Sequence, residues 1–140
     1  TLEGDECYPP ETESCDKENT VLPIAAFRHI FIRSVIEGYV YRGEDIPWLQ
    51  GQYVYGDRFR GLFYLDPTES DIQHFPQVLA YKPRIQHGNE LGEVMFLSSL
   101  TEDAHGELYA ISLGGAIYKI RQMSTHKELE GFLRALWDFR

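Results

Sequence analysis

The chain has 140 residues, with 13 Lys and Arg against 22 Asp and Glu; its net charge of −9 excludes a nucleic-acid backbone as its natural partner, which would need a basic surface. A hydrophobic fraction of 43% with 14% aromatics is that of a folded domain with one core, which excludes a disordered chain. No apolar run reaches the length of a membrane span.

The chain begins at Thr1 without an initiator methionine or a signal peptide, and so reads as a processed product or a fragment. Residues 1–20 are acidic and turn-rich, an N-terminal arm containing Tyr8-Pro9-Pro10-Glu11-Thr12-Glu13-Ser14. Cys7 and Cys15 are the two cysteines of the sequence. They read as a disulfide closing a short loop, which implies a secreted protein, or as two free thiols in a cytosolic loop. No other cysteine and no nearby histidine at ligand spacing supports a zinc site.

A β domain is expected over residues 21–122. Val21 to Ile36 is apolar and rich in β-branched residues, which favours a strand, while Ala25–Ile32 would also suit a short helix; both readings stand. The strongest signal follows: Gly38-Tyr39-Val40-Tyr41-Arg42-Gly43, then Leu49 to Asp57, then Arg60 to Pro67. Each run alternates aromatic and aliphatic residues and closes on Gly, Asp or Pro. Alternation puts Tyr39 and Tyr41 on one face with Val40 on the other, and Tyr53 and Tyr55 on either side of Val54. Short glycine-bounded turns between such runs predict an antiparallel meander.

Further strands are expected at Gln77–Lys82, ended by Pro83, and at Val94–Leu100, with a loop at Gln86–Glu90 between them. Glu102–Gly106 reads as a turn, and Glu107–Ser112 pairs with Ala116–Ile120 across Gly114-Gly115 as a hairpin. Over residues 123–140 the period changes. Thr125 with Glu128 forms a capping box, and Leu129, Phe132, Leu133, Leu136 and Trp137 mark an amphipathic helix. Its apolar face would dock on its own sheet or on a partner protein.

The three anchor runs, Pro47 and Leu49, Glu102–Tyr109 and Gly114–Lys119 together resemble the closing part of the glucose/sorbosone dehydrogenase-like β-propellers, a family that includes Hedgehog-interacting-like ectodomains. The resemblance spans about residues 34–121 with order and spacing preserved. It implies a mainly β fold of antiparallel, four-stranded, blade-type meanders, part of a β-propeller. At about four strands per blade the chain holds one blade and part of another, so the wheel cannot close alone. The family's quinone-dependent sugar dehydrogenases carry cofactor-binding arginines that would fall here near Phe96 and Ser98. No Arg or Lys lies between Val94 and Thr101, which removes the cations a tricarboxylate quinone needs.

The dense cationic group of the matched region is Arg42, Arg58 and Arg60, with Asp57 beside it. These four are the candidate ligand-binding residues: they could grip an anion, or pair with Asp57, Glu44 and Asp45 on a solvated side. Glu102 and Asp103 read as acid/base groups or calcium ligands, or as acceptors for loop amides. The tyrosines could line a sugar-binding face, or pack in the core and across strands. The five histidines are scattered, and no catalytic residue is assigned.

The expectation is therefore a non-catalytic extracellular module, binding or structural in role. It would need no cofactor and would be completed as a homo-oligomer or by the remainder of a larger propeller protein. The alternative is the C-terminal segment of a sugar dehydrogenase that uses pyrroloquinoline quinone and calcium supplied with the missing blades.

Overall fold

The computed structural model describes residues 2–9, 15, 17–81, 85–87, 90–92 and 96–122. The C-terminal helix expected over 123–140 lies outside the described residues. The rest is mainly β, and every strand pairing is antiparallel. At the N-terminus β1 (Leu2–Glu3) and β2 (Glu6–Cys7) form a small hairpin, and a disulfide joins Cys7 to Cys15.

The anchor runs become a four-stranded meander in sequence order: β3 (Val35–Val40), β4 (Tyr53–Asp57), β5 (Gly61–Leu65) and β6 (Gln77–Tyr81). A single 3-10 turn, Pro47–Leu49, lies between β3 and β4 and buries Leu49. Alternation holds as expected along β4. Val54 faces a cluster with Tyr41, Ile46, Leu49 and Leu108, while Tyr55 faces one with Ile32, Phe63 and Leu65. A bulge between Ile36 and Gly38 shifts the β3–β4 register.

Within the stretch expected as a loop at Gln86–Glu90, Gln86, His87 and Glu90 instead belong to the paired strands β7 (Ile85–His87) and β8 (Glu90–Gly92), while residues 88–89 lie outside the described residues. The second large sheet has the order β11-β10-β9, from β9 (Leu97–Glu102), β10 (Leu108–Ser112) and β11 (Ile117–Lys119). Its last hairpin turns at Gly114-Gly115, as the sequence predicts.

The two sheets close on each other through Leu62, Leu97, Leu100 and Ala110, all nearly or fully buried. A Cβ at Gly56 would run into the Leu97 side chain, so this glycine lets β4 and β9 approach closely. Glu37, displaced at the bulge, accepts a hydrogen bond from the Leu100 N–H at 3.2 Å and ties β3 to β9.

Of the stretch Val21 to Ile36, only Val35 and Ile36 are strand, as the start of β3; Val21 to Ser34 is neither the strand nor the helix left open by the sequence. It forms one parallel bridge, Ala25 with Gln73, and a single turn closing on the Arg28 carbonyl. Its apolar residues are used one at a time: Ile32 is buried, Phe27 stacks on Tyr55 with ring centroids 5.8 Å apart, and Val21 is fully exposed. The segment covers the face of the four-stranded sheet that points away from the second sheet. A cover of this kind needs scattered contacts rather than a period.

Candidate functional site

The candidate residues collect at two places set by the sheet register. Val35 pairs with Asp57 at one end of β3 and Val40 with Tyr53 at the other. Arg42, just past Val40, therefore stands at the opposite end of the sheet from Asp57, Arg58 and Arg60 in the β4–β5 turn. The four residues do not converge on one point.

Asp57 is fully buried. Its Oδ2 accepts the Arg33 and Ser34 N–H groups at 2.7 and 2.6 Å. Its Oδ1 accepts the Phe59 and Arg60 N–H groups at 2.9 and 2.8 Å. Both oxygens are thus spent on main-chain donors from two loops, which is why a buried carboxylate is tolerated. The Arg58 N–H donates to the Ser34 carbonyl at 2.9 Å and extends the clasp. Around it the turn displays Phe59, exposed and edge-on to Phe96, between Arg58 and Arg60. Asp57 also acts on Tyr55: burial first, then the Asp57 charge, pushes the tyrosine pKa upward.

At the other end, Arg42 Nη1 lies 3.6 Å from Glu102 Oε2, and Asp45 pairs with Lys119 at 2.7 Å. The Asp45 carboxylate, through its hydrogen bond, raises the Lys119 pKa. Between them runs a second carboxylate clasp, built on Glu107. Glu107 Oε1 accepts the Glu44 and Asp45 N–H groups at 2.8 and 2.9 Å, and Oε2 accepts the Tyr41 hydroxyl at 2.8 Å. Burial works to raise the Glu107 pKa, but the Asp45 N–H, Tyr41 O–H and Glu44 N–H donors outweigh it and hold it below the usual glutamate value. Burial and the Glu107 bond raise Tyr41 to about 12.

Asp103 repeats the pattern in the β9–β10 turn. Its Oδ1 accepts the His105 and Glu107 N–H groups at 2.9 and 3.0 Å, and its Oδ2 accepts the Tyr109 hydroxyl at 3.0 Å. Burial opposes ionisation, yet these donors hold the Asp103 pKa below the usual aspartate value. The left-handed Gly106 (φ 79°) completes the turn; a Cβ there would lie 2.8 Å from the Arg42 carbonyl carbon.

Asp57, Glu107 and Asp103 therefore hold loops, each with two or more donors on its carboxylate. Sequence reasoning did not single out Glu107 or the Arg33 and Ser34 amides, and it read Tyr41 as a sugar-face or packing residue rather than as a hydrogen-bond donor to Glu107. The one available signal was a glutamate directly before the apolar strand Leu108–Ser112, which is common enough to carry little weight. Among the described residues no group of three or more His, Cys, Asp and Glu side chains is arranged to hold a metal ion. Among them, too, no helix is long and apolar enough to cross a membrane.

The positions where the family resemblance expects cofactor arginines have other occupants. Phe96 packs its ring on Phe59 at 5.9 Å, and the Ser98 hydroxyl donates to the Ile111 carbonyl at 3.1 Å. Neither can hold a tricarboxylate. No family model matches the chain, and no solved structure matches it.

Proposed function

We propose that the chain is a non-catalytic, extracellular β-propeller-like module of the glucose/sorbosone dehydrogenase type, with a binding or structural role. The observation that carries this reading is the use of carboxylates. Asp57, Asp103 and Glu107 are committed to main-chain amides and tyrosine hydroxyls, which suits loop geometry rather than acid/base work. The occupants of positions 96 and 98 do not fit a quinone cofactor, so no redox step is assigned. The four-stranded meander has the strand number and connectivity of a blade, and among the described residues the second sheet has three antiparallel strands. One blade and part of another do not close a propeller, which favours completion by identical neighbours or by the rest of a larger protein. The Cys7–Cys15 disulfide is compatible with an extracellular location.

Light scattering on the native material, beside the mass of the denatured and reduced chain, tests this reading. The expected result is a native particle several times the 16.2 kDa chain mass, or co-purification with a larger polypeptide. It should give no dye reduction with glucose, pyrroloquinoline quinone and calcium. Sugar-saturable, quinone-dependent dye reduction would overturn it in favour of the dehydrogenase reading.

A further inference from the structure

The strand register sorts charge to the two ends of the molecule. Loops 30–34, 57–61 and 113–116 gather at one end, and loops 41–52, 66–76 and 103–107 connect strands at the other. In the first set Asp57 is the one acidic residue, buried with both oxygens on main-chain donors, and Arg33, Arg58 and Arg60 are the cations. None of these arginines forms an ion pair among the described residues. The second set holds seven acidic residues against Arg42 alone, and Glu44, Asp45, Glu69 and Asp71 are exposed. It stays acidic when Lys119, paired with Asp45, is counted.

The basic end is tied into one surface. Asp57 clasps residues 33–34 to 59–60, Arg60 Nη2 reaches the Ile30 carbonyl at 3.5 Å, and the Leu113 N–H donates to the Phe96 carbonyl at 2.9 Å. Phe59 and Phe96 pack edge to face there and are still 45% and 57% exposed, with Val35 and Leu113 exposed at the same end. Arginine beside exposed aromatic rings is the composition of a protein contact rather than of a solvated face. The acidic end offers a matching ring, Trp48, which is 53% exposed and lies in the same loop as Glu44 and Asp45.

We infer that the basic end docks head to tail on the acidic end of a second copy of this chain, with Phe59 and Phe96 against Trp48, and Arg58 and Arg60 on the acidic loops. Charge selects this occupant. Copies carrying −9 each repel on average, but screening confines that repulsion to about 8 Å at physiological salt, and opposed ends bring unlike charges together within that range. The contact is heterologous, so it propagates as an open stack unless its rotation closes a ring. It uses strand ends, whereas completing a blade uses strand edges, so the inference does not rest on the propeller reading.

Sedimentation velocity of the full chain over a range of concentrations tests it. The parent should grow with concentration, and raising the salt from about 0.05 M to about 0.5 M should shrink it to a constant unit. Arg58→Glu with Phe59→Ser blocks the basic end, and Glu44→Lys with Trp48→Ser blocks the acidic end. Each double variant should associate at least about tenfold more weakly and sediment as that unit. Their equimolar mixture should form pairs of the unit and nothing larger, since one intact end of each kind remains. Should a double variant fail to fold, Arg58→Glu and Glu44→Lys alone carry the same comparison. The mass of the unit reports on completion by identical neighbours, and its growth reports on the end-to-end contact, so the two readings fail separately. Unchanged growth of either variant would overturn the proposal. So would a parent that does not grow, including one whose basic end instead carries it onto floated vesicles of phosphatidylcholine and phosphatidylglycerol.

Discussion

The Tyr41 hydroxyl donates to Glu107 Oε2 at 2.8 Å and accepts the Ile46 N–H at 3.1 Å, joining the loop after β3 to the start of β10. This one phenol links residues 66 positions apart in the chain and seals the end of the contact between the sheets. The Glu107 carboxylate is the hub, since it also holds the Glu44 and Asp45 amides.

Glu107→Ala should therefore lower stability by about 3 kcal/mol, because it leaves two amides and a phenol without an acceptor in a buried place. Glu107→Gln keeps one carbonyl for the amides and should cost about half as much. Tyr41→Phe combined with Glu107→Gln should be less damaging than the sum of the two, since both act on one network. Urea denaturation of Glu107→Ala, Glu107→Gln, Tyr41→Phe and the double variant checks each statement.

Asp57 gives a sharper contrast between isosteres. Each of its oxygens accepts two N–H groups. Asp57→Asn would turn an amide nitrogen toward one pair of donors, so asparagine should rescue little. Both Asp57→Asn and Asp57→Ala are expected to cost about 3 kcal/mol or more. Near-normal stability of the asparagine variant, read from its denaturation midpoint, would contradict the four-donor clasp.

Gly106 and Gly51 both have positive φ, 79° and 83°, but only Gly106 has neighbours where a Cβ would sit. Gly51→Ala should therefore cost about 1 kcal/mol for backbone strain alone. Gly106→Ala adds a clash with the Arg42 backbone and should cost at least about 2 kcal/mol. Thermal melts of the pair separate the two contributions.

Stability should fall on both flanks of pH. Glu107 and Asp103 have folded-state pKa values below the ordinary 4.5 and 3.8. Their contribution is complete above those ordinary values and is lost as the pH falls through the lower folded-state ones. Tyr41 is shifted the other way, from 10.0 to about 12. Its contribution is complete below pH 10 and is lost as the pH rises from 10.0 towards about 12, where the unfolded phenol ionises first. Denaturation midpoints across this range check both limbs, and Tyr41→Phe should flatten the alkaline one.

The four-stranded meander was legible because its determinants are local. Tyr53-Val54-Tyr55 and Leu62-Phe63-Tyr64 alternate with a period of two, and the pleat turns that period into two faces without help from distant residues. Gly114-Gly115 marked its hairpin for the same reason. Val21 to Ser34 was not legible, since its composition suits a strand while its task is to cover a sheet face at single points. The short paired strands β7 and β8 carry no alternation strong enough to stand out from a loop.

By itself the sequence determined the β class, the order of the main strands and which side of each strand is apolar, because these follow from spacing along the chain. The tertiary structure alone decided the fate of the polar residues. Whether Asp57 grips a ligand or four amides, whether Glu107 meets Tyr41, and whether Tyr55 is buried depend on which loops arrive from far along the chain. A carboxylate's role is set by the donors within about 3 Å of it, and spacing along the chain does not reveal them.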